Sequence, residues 1–207
     1  EAGLVADIGR AVLTDACRHA AAWAREHPDV PLTLRVNVSG RQLTHASLLD
    51  DVTVAVAEAG LAPEGLCLEI TETALMTDME TTIRMLRAIR ELGVNIAIDD
   101  FGTGYSSLGY LERFPIDALK IDRSFVSGLG EDAKSEAIVR TLMNLARMLE
   151  LDVVAEGVET EQQAATLHAL GCARAQGFLY APPLPRVELE RLLRDGVAPP
   201  GGRTSRR

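Results

Sequence analysis

The sequence is poor in cysteine and contains no long apolar segment. Its three cysteines, Cys17, Cys67 and Cys172, are widely spaced and form no C-x-x-C pair. Buried free thiols are therefore favoured over disulfides or a zinc site, and a reducing, cytoplasmic location fits this usage. The longest apolar runs have the length of a strand and are interrupted by charges, so no membrane-spanning helix is expected. No basic segment followed by an apolar stretch is seen near residue 1, and no signal peptide is expected.

Positive charge is also scarce. Lysine and arginine number 21 against 30 acidic residues, which gives a net charge of −9 and a pI of about 5.0. Binding to long nucleic acid needs a basic surface, so it is not expected here. A small phosphorylated ligand is compatible with this charge, because bound metal ions supply positive charge locally. With 207 residues, 47% of them hydrophobic, the chain can form one domain with a sizeable core.

Helical and extended segments alternate along the chain. The spacing of apolar residues predicts helices at 4–26, 41–59, 78–92, 132–150, 160–170 and 187–194. Strands are predicted at 32–38, 65–71, 94–99, 117–121, 151–155 and 173–178. A loop rich in glycine and serine and a short helix follow the third strand. Residues 196–207 are predicted to be a disordered C-terminal tail.

This alternation predicts a parallel sheet with helices outside it. Six strands could form an open doubly wound sheet, but no G-x-G-x-x-G follows the first strand, which weakens the dinucleotide-binding version. A closed (β/α) barrel has eight strands and typically about 250 residues. Residues 1–195 would then be short of a barrel by about two strands and one helix.

Polar side chains stand at or just past the carboxyl end of the predicted strands. They are Asn37, Glu69, Asp99, Asp100, Lys120, Glu156 and Gln176. In a parallel sheet all these ends lie on one side, where barrel enzymes carry their catalytic groups. Four of the groups are carboxylates, whose mutual repulsion is commonly relieved by a hard divalent cation such as Mg²⁺ or Mn²⁺. Two such ions about 4 Å apart are a recurring device for phosphoester hydrolysis, so the residues favour metal-assisted hydrolysis of a phosphate ester.

Six motifs in these regions resemble those of the EAL family, the phosphodiesterases of the bacterial messenger cyclic di-GMP. They are RVNVS (35–39), LEITE (68–72), IDDFGTGYSSLGYL (98–111), LKIDRSFV (119–126), VVAEGVET (153–160) and QGFLYAPPLP (176–185). They follow the family order across nearly the whole chain. The resemblance implies a TIM-like (β/α) barrel of the EAL type, with about six of its eight strands present here. It also implies two Mg²⁺ or Mn²⁺ ions and hydrolysis of cyclic di-GMP to linear pGpG.

The resemblance implies metal binding by Asn37, Glu69 and Asp99, with Asp100 as ligand of the second metal. Without it, Asn37 could be a turn-forming residue and Glu69 a solvent-facing one. Lys120 would hold and polarise the attacking water. A Schiff-base lysine is disfavoured by the surrounding carboxylates, and a structural ion pair stays open as an alternative.

The remaining motif residues are expected to support this centre. Glu156 would lie near the metals and the water, as a metal ligand or as a base. Glu72, Glu159 and Gln176 would contact substrate or support the residues around the metals, although Gln176 could also be a capping amide in a loop. Arg123 is expected to pair with a surface carboxylate rather than with ligand. A flexible loop, which Glu72 would anchor, is expected to comprise Phe101, Gly102, Thr103, Gly104, Tyr105 and Ser106.

One departure from the family pattern is that the E-[AV]-L segment itself is absent. Residues 1–195 are therefore expected to be an EAL domain lacking its first two strands. Because one metal ligand is then missing, weak or no turnover is expected, and the exposed strand edges would make the chain poorly stable alone. A non-catalytic cyclic di-GMP receptor or a regulatory interaction module is the alternative.

The family also suggests what surrounds this segment. A homodimer through the barrel and an upstream sensory or GGDEF domain are expected. No membrane contact by this segment is expected, and it would be a cytoplasmic domain if the parent protein is membrane-anchored.

Overall fold

Parallel strands alternate with helices in the computed structural model, which describes residues 2–102 and 111–195, with side chains from Val5 onward. Within these ranges the helices are α1 (Ala2–Glu26), α2 (Gly40–Leu43), α3 (Leu48–Ala59), α4 (Glu72–Leu75), α5 (Met79–Glu91), α6 (Arg123–Val126), α7 (Ala133–Met148), α8 (Glu161–Ala169) and α9 (Arg186–Asp195). The strands are β1 (Leu34–Asn37), β2 (Leu66–Thr71), β3 (Asn95–Phe101), β4 (Ala118–Ile121), β5 (Asp152–Ala155) and β6 (Arg174–Ala175). A 3₁₀ helix spans Pro63–Gly65.

The six strands form one sheet in chain order, from β1 to β6. The pairs β1–β2, β2–β3 and β5–β6 are parallel. Parallel strands require crossover connections, and the helices between them serve this purpose. The fold class is therefore confirmed as the α/β arrangement of a TIM-like (β/α) barrel. Among the helices of the described ranges, no apolar stretch reaches the length needed to cross a membrane.

Two compact units make up the chain, residues 1–119 and residues 120–207. In the first unit, β2 and β3 carry large apolar side chains on one face and smaller or polar ones on the other. Leu66, Leu68 and Ile70 are completely buried on the first face of β2. Each such side chain stabilises the fold by roughly 1.5–3 kcal/mol. The opposite face carries a small buried cluster of Cys67, Ala97 and Ala118.

The second unit is built around one apolar cluster. Its buried members are Ile121, Val126, Leu129, Val139, Met143, Ala155, Val158, Leu167 and Cys172. Side-chain caps define where its helices begin. Asp132 accepts hydrogen bonds from the backbone N–H groups of Lys134 and Ser135 at the start of α7, and Thr160 forms a capping box with Gln163 at the start of α8.

The three cysteines are free and buried, as predicted. Cys17 lies in α1 with no exposed surface, and burial raises the pKa of its thiol to about 11. Burial also raises the pKa of the Cys172 thiol. Both groups therefore stay protonated near neutral pH and behave as small apolar side chains.

The prediction of a single helix over 41–59 was wrong. Two helices, α2 and α3, occupy this region and are separated by residues 44–47. Polar side chains in and next to residues 44–47 form hydrogen bonds with one another. Ser47 donates its hydroxyl hydrogen to Asp51 (2.9 Å), and the ring of His45 contacts the Ser47 hydroxyl. Such local hydrogen bonds compete with a continuous helix.

Two strand boundaries also differ from the prediction. β3 continues through Phe101, two residues beyond the predicted end. The last strand, predicted over 173–178, contains only Arg174 and Ala175, because the chain turns at Gly177 against the backbone of Val158. The predicted tail at 196–207 and the short helix after the glycine-rich loop fall largely outside the described residues.

Candidate active site

Strand register places three predicted metal ligands of the first unit on one face of the sheet. Asn37 is the register partner of Glu69, and Glu69 is the partner of Ala97. Asp99 lies two residues after Ala97. Because strand side chains alternate between faces, Asn37, Glu69 and Asp99 share a face. They stand near the carboxyl ends of β1, β2 and β3, as the sequence predicted.

Glu69 is a buried carboxylate, with a relative exposure of 5%. The alternative of a solvent-facing strand residue was therefore wrong. The Arg35 guanidinium donates to it, with Nη1 3.2 Å from Oε1. A carboxylate withdrawn from water requires such compensation.

Arg35 lies outside the set of site residues predicted from the sequence. It lies two residues before Asn37 in β1, and alternation puts both side chains on the same face. That spacing was the signal by which the sequence could have identified it.

The Asp99–Asp100 pair occupies an unusual stretch of backbone. Asp100 has φ of 53°, a left-handed conformation that aspartate tolerates better than most residues. Its backbone N–H donates to Oδ1 of Asp99 at 3.1 Å. Both aspartates are half-buried. The left-handed residue interrupts the regular alternation of β3 directly after Asp99.

Glu72 ties the beginning of the glycine-rich loop to α4. Its side chain is 4% exposed, and Oε2 accepts the backbone N–H of Gly102 at 3.0 Å. Gly102 has φ of 95°, which glycine adopts without strain. The expected contact between Glu72 and this loop is confirmed at Gly102, next to the buried Phe101. Thr103, Gly104, Tyr105 and Ser106 lie outside the described residues, so flexibility of the loop stays a prediction.

In the second unit, Lys120, Glu156 and Gln176 form one hydrogen-bonded group. Lys120 Nζ lies 2.5 Å from Glu156 Oε1, and the side chains are 4% and 16% exposed. Gln176 Nε2 donates to the same oxygen at 2.7 Å. The backbone holds them in place, because Glu156 N–H donates to the carbonyl of Ile121 and Gln176 N–H to that of Ala155. Three residues predicted from separate motifs thus meet at the ends of β4, β5 and β6.

This geometry bears on two alternatives raised by the sequence. The Gln176 amide contacts the Glu156 carboxylate instead of capping a loop. The Lys120–Glu156 ion pair exists, and an ammonium held by a carboxylate favours its charged form. A Schiff base requires the neutral amine, so this geometry argues against that chemistry.

Arg123 and Glu159 lie at the surface of the same unit. Arg123 Nη2 is 3.6 Å from Glu159 Oε1, and both side chains are largely exposed. The expected pairing of Arg123 with a surface carboxylate is confirmed. The backbone N–H of Glu159 donates to Gln163 Oε1 at the start of α8, so the position of Glu159 is fixed by the capping of that helix.

An open pocket of about 380 Å³ adjoins Glu156 in the second unit. Its walls include Gln176, Arg123, Phe178 and Pro182. The Phe178 ring is 63% exposed. The pocket therefore combines charged groups, an amide and an aromatic face, a mixture suited to a polar ligand that carries flat rings.

The donor atoms of the predicted metal ligands fit a hard divalent cation. Asn37 offers an amide oxygen, and Glu69, Asp99 and Asp100 offer carboxylate oxygens. Oxygen donors of this kind suit Mg²⁺ and Mn²⁺, whereas zinc in structural sites favours thiolate and imidazole.

The family model described as EAL domain matches residues 1–183. Among curated proteins, the cyclic di-GMP phosphodiesterase NbdA of Pseudomonas aeruginosa is 45% identical over 197 residues, which are 93% of this chain and 24% of NbdA. The chain spans about a quarter to a third of the length of the curated relatives it matches.

Two solved structures are similar over most of their length. The PaMucR phosphodiesterase in complex with c-di-GMP matches with a TM-score of 0.85 and 45% identity, covering 90% of this chain and 75% of that chain. The EAL domain of Mycobacterium smegmatis DcpA matches with a TM-score of 0.88 and 44% identity, covering 94% and 87%.

Proposed function

The chain belongs to the EAL domain family, and from this premise we propose that it hydrolyses cyclic di-GMP to linear pGpG. The observation that carries the proposal is the group formed by Lys120, Glu156 and Gln176, in which a buried ammonium is held 2.5 Å from a carboxylate beside an open pocket. A catalytic role accounts for the cost of burying that charge, and the family's named relatives include a cyclic di-GMP phosphodiesterase. The receptor and interaction-module alternatives are therefore not favoured.

Two Mg²⁺ or Mn²⁺ ions are proposed to be held by Asn37, Glu69, Asp99 and Asp100. The shared face of Asn37, Glu69 and Asp99 and their oxygen donors support this assignment. When bound, such ions activate water and neutralise the negative charge that develops on a leaving oxygen.

Lys120 and Glu156 are proposed to handle the attacking water. Lys120 carries three N–H donors, and its ion pair with Glu156 fixes the direction in which it presents them. It would donate to the water and orient it toward phosphorus. Glu156 accepts from both Lys120 and Gln176 on Oε1, which restrains its rotation. This restrained carboxylate would accept the proton that the water loses.

The pocket beside Glu156 is proposed to take one nucleobase of the dinucleotide. The exposed ring of Phe178 offers a stacking surface, and stacking on an aromatic side chain contributes about 1–3 kcal/mol per base. The bound ligand of the PaMucR structure, c-di-GMP, has bases of this kind.

The test is hydrolysis of cyclic di-GMP with Mn²⁺ by a form of the protein that carries the E-[AV]-L segment, followed by anion-exchange chromatography of the product. The substitutions Asp99→Asn and Lys120→Ala are expected to lower kcat by at least about 100-fold. Asp29→Asn, which changes an exposed loop carboxylate, is the matched control and should leave kcat unchanged. Unchanged turnover in Asp99→Asn at saturating Mn²⁺ would contradict the assignment. Binding of cyclic di-GMP without turnover would instead favour a receptor.

The proposal extends to the surroundings of the segment. An attached GGDEF or sensory domain is supported by the greater length of the curated relatives and by MucR, which is named a bifunctional diguanylate cyclase/cyclic di-GMP phosphodiesterase. Three free, buried cysteines support a cytoplasmic location. A homodimer through the barrel stays a prediction.

A further inference from the structure

Arg35 places a cation beside the buried carboxylate of Glu69. Its Nη1 lies 3.2 Å from Glu69 Oε1 and 3.7 Å from the sulfur of Cys67. The Arg35 side chain is 23% exposed and the Glu69 side chain 5%. The pair therefore differs from the exposed ion pairs of the helices, in which both partners face solvent.

Small side chains around this pair leave space for the long side chain of Arg35. Arg35 is the register partner of Cys67. Cys67, Ala97 and Ala118 form the small buried cluster of the first unit, and none of them has a side chain longer than two heavy atoms. The guanidinium reaches past Cys67, whose sulfur it contacts, to the carboxylate two residues further along β2.

Two cations bear on the charge of Glu69 in the proposed site. A buried carboxylate needs a cation, and Arg35 is one that the chain itself carries. A divalent cation bound by Glu69 is the other, and a guanidinium bonded to the same carboxylate would repel it in a medium of low dielectric. The two cations are therefore alternatives whose attractions to Glu69 oppose each other.

We propose that Arg35 is a built-in counter-cation that competes with the divalent metal for Glu69. It stabilises the metal-free protein by neutralising this carboxylate, and it lowers the affinity of the site for metal. The inference rests on the proposed function, which makes Glu69 a metal ligand. Competition from Arg35 would raise the concentration of divalent cation that is needed to occupy the site.

The test compares Arg35→Met with the unchanged protein in two measurements. Calorimetric titration with Mn²⁺ should give a Kd about tenfold lower for the variant, which is the effect of removing one modest competing interaction. Thermal unfolding in EDTA should show a lower Tm for Arg35→Met, because Glu69 has lost its ion pair with the Arg35 guanidinium. The gain in Tm on adding Mn²⁺ should be larger in the variant. Arg35→Lys keeps the charge with a shorter reach and should give intermediate values.

Arg90→Met is the matched control. Arg90 forms an ion pair of 2.8 Å with Asp117 in the same unit, with exposures of 45% and 25%. Its loss should lower the Tm by the same small amount with and without Mn²⁺ and should leave the Kd unchanged.

The outcomes separate the inference from the proposed function. An unchanged Kd for Mn²⁺ in Arg35→Met would show that Arg35 does not compete with the metal. A higher Kd would also overturn the inference and would indicate that Arg35 orients Glu69 for metal binding. Either result leaves the proposed function intact if the unchanged protein binds Mn²⁺ and hydrolyses cyclic di-GMP. If the unchanged protein binds no Mn²⁺, both fail. Should Arg35→Met not fold, the Kd of Arg35→Lys decides, and a value equal to that of the unchanged protein overturns the inference.

Discussion

Buried charge distinguishes a few residues from all the others in the described ranges. Glu69, Glu72 and Lys120 are each at most 5% exposed, yet each is charged in its ordinary state. Their partners include, in that order, Arg35, the backbone N–H of Gly102, and Glu156. Replacing such pairs by apolar side chains often stabilises a protein, so they are weak evidence for stability. Their cost is understandable if they serve binding or catalysis.

At this residue scale, the Lys120–Glu156 pair gives a direct prediction. Glu156→Gln removes the negative charge and leaves a buried ammonium, which should lower the free energy of unfolding by about 3–5 kcal/mol. Gln176→Ala removes a hydrogen bond to a charged group and should cost about 1.5–3 kcal/mol. Urea denaturation measures both.

The double variant Lys120→Met with Glu156→Gln is the control for coupling. Removal of both charges should recover part of the stability that either single change loses, because no uncompensated charge then remains in that pair. Strictly additive losses would show that the two side chains do not stabilise each other.

At the scale of elements, the backbone around β6 determines where Gln176 lies. Val158 N–H donates to the Gln176 carbonyl, and Leu179 N–H donates to the Val158 carbonyl, both at 3.0 Å. Gly177 stands between these bonds, and a Cβ there would overlap the backbone oxygen and nitrogen of Val158. The absence of a side chain at Gly177 thus permits the backbone of residues 176–179 to cross close to the backbone of Val158. This crossing holds Gln176 against Glu156.

Gly177→Ala should therefore damage both fold and site. We expect a loss of about 3 kcal/mol in the free energy of unfolding, because backbone atoms must move apart. Displacement of Gln176 should also weaken its hydrogen bond to Glu156 and thereby lower kcat. Gly171→Ala is the control. Gly171 also has a positive φ (87°), but a Cβ added there would lie 3.8 Å from Nη2 of Arg147, an ordinary contact distance. That change should cost about 1 kcal/mol and leave kcat unaffected; equal effects of the two changes would contradict the role of the crossing.

The same elements explain what the sequence could predict. Polar residues at the ends of parallel strands were found because each interrupts an apolar run, and β-strand geometry then brings Lys120, Glu156 and Gln176 together. The break between α2 and α3 was missed, since it depends on hydrogen bonds among His45, Ser47 and Asp51 that apolar spacing does not encode. The shortening of β6 was missed because it depends on a tertiary contact of Gly177.

At the scale of the whole molecule, the proposed roles divide between the two units. The proposed metal ligands Asn37, Glu69, Asp99 and Asp100 all belong to residues 1–119, and the proposed catalytic residues Lys120 and Glu156 belong to residues 120–207. Metal binding and turnover should therefore be separable by substitution. The net charge of −9 also favours uptake of a cation over that of an anion.

Thermal unfolding with and without Mn²⁺ tests this division. A ligand that binds only the folded state stabilises it by about 2.7 kcal/mol at 100 times its Kd, so Mn²⁺ should raise the Tm relative to EDTA. Asp99→Asn should abolish most of this rise together with turnover. Lys120→Met should abolish turnover but retain the rise, because it removes no proposed ligand. If Lys120→Met also lost the Mn²⁺-dependent rise, or Asp99→Asn retained it, the assignment of ligands to the first unit and catalytic residues to the second would be wrong.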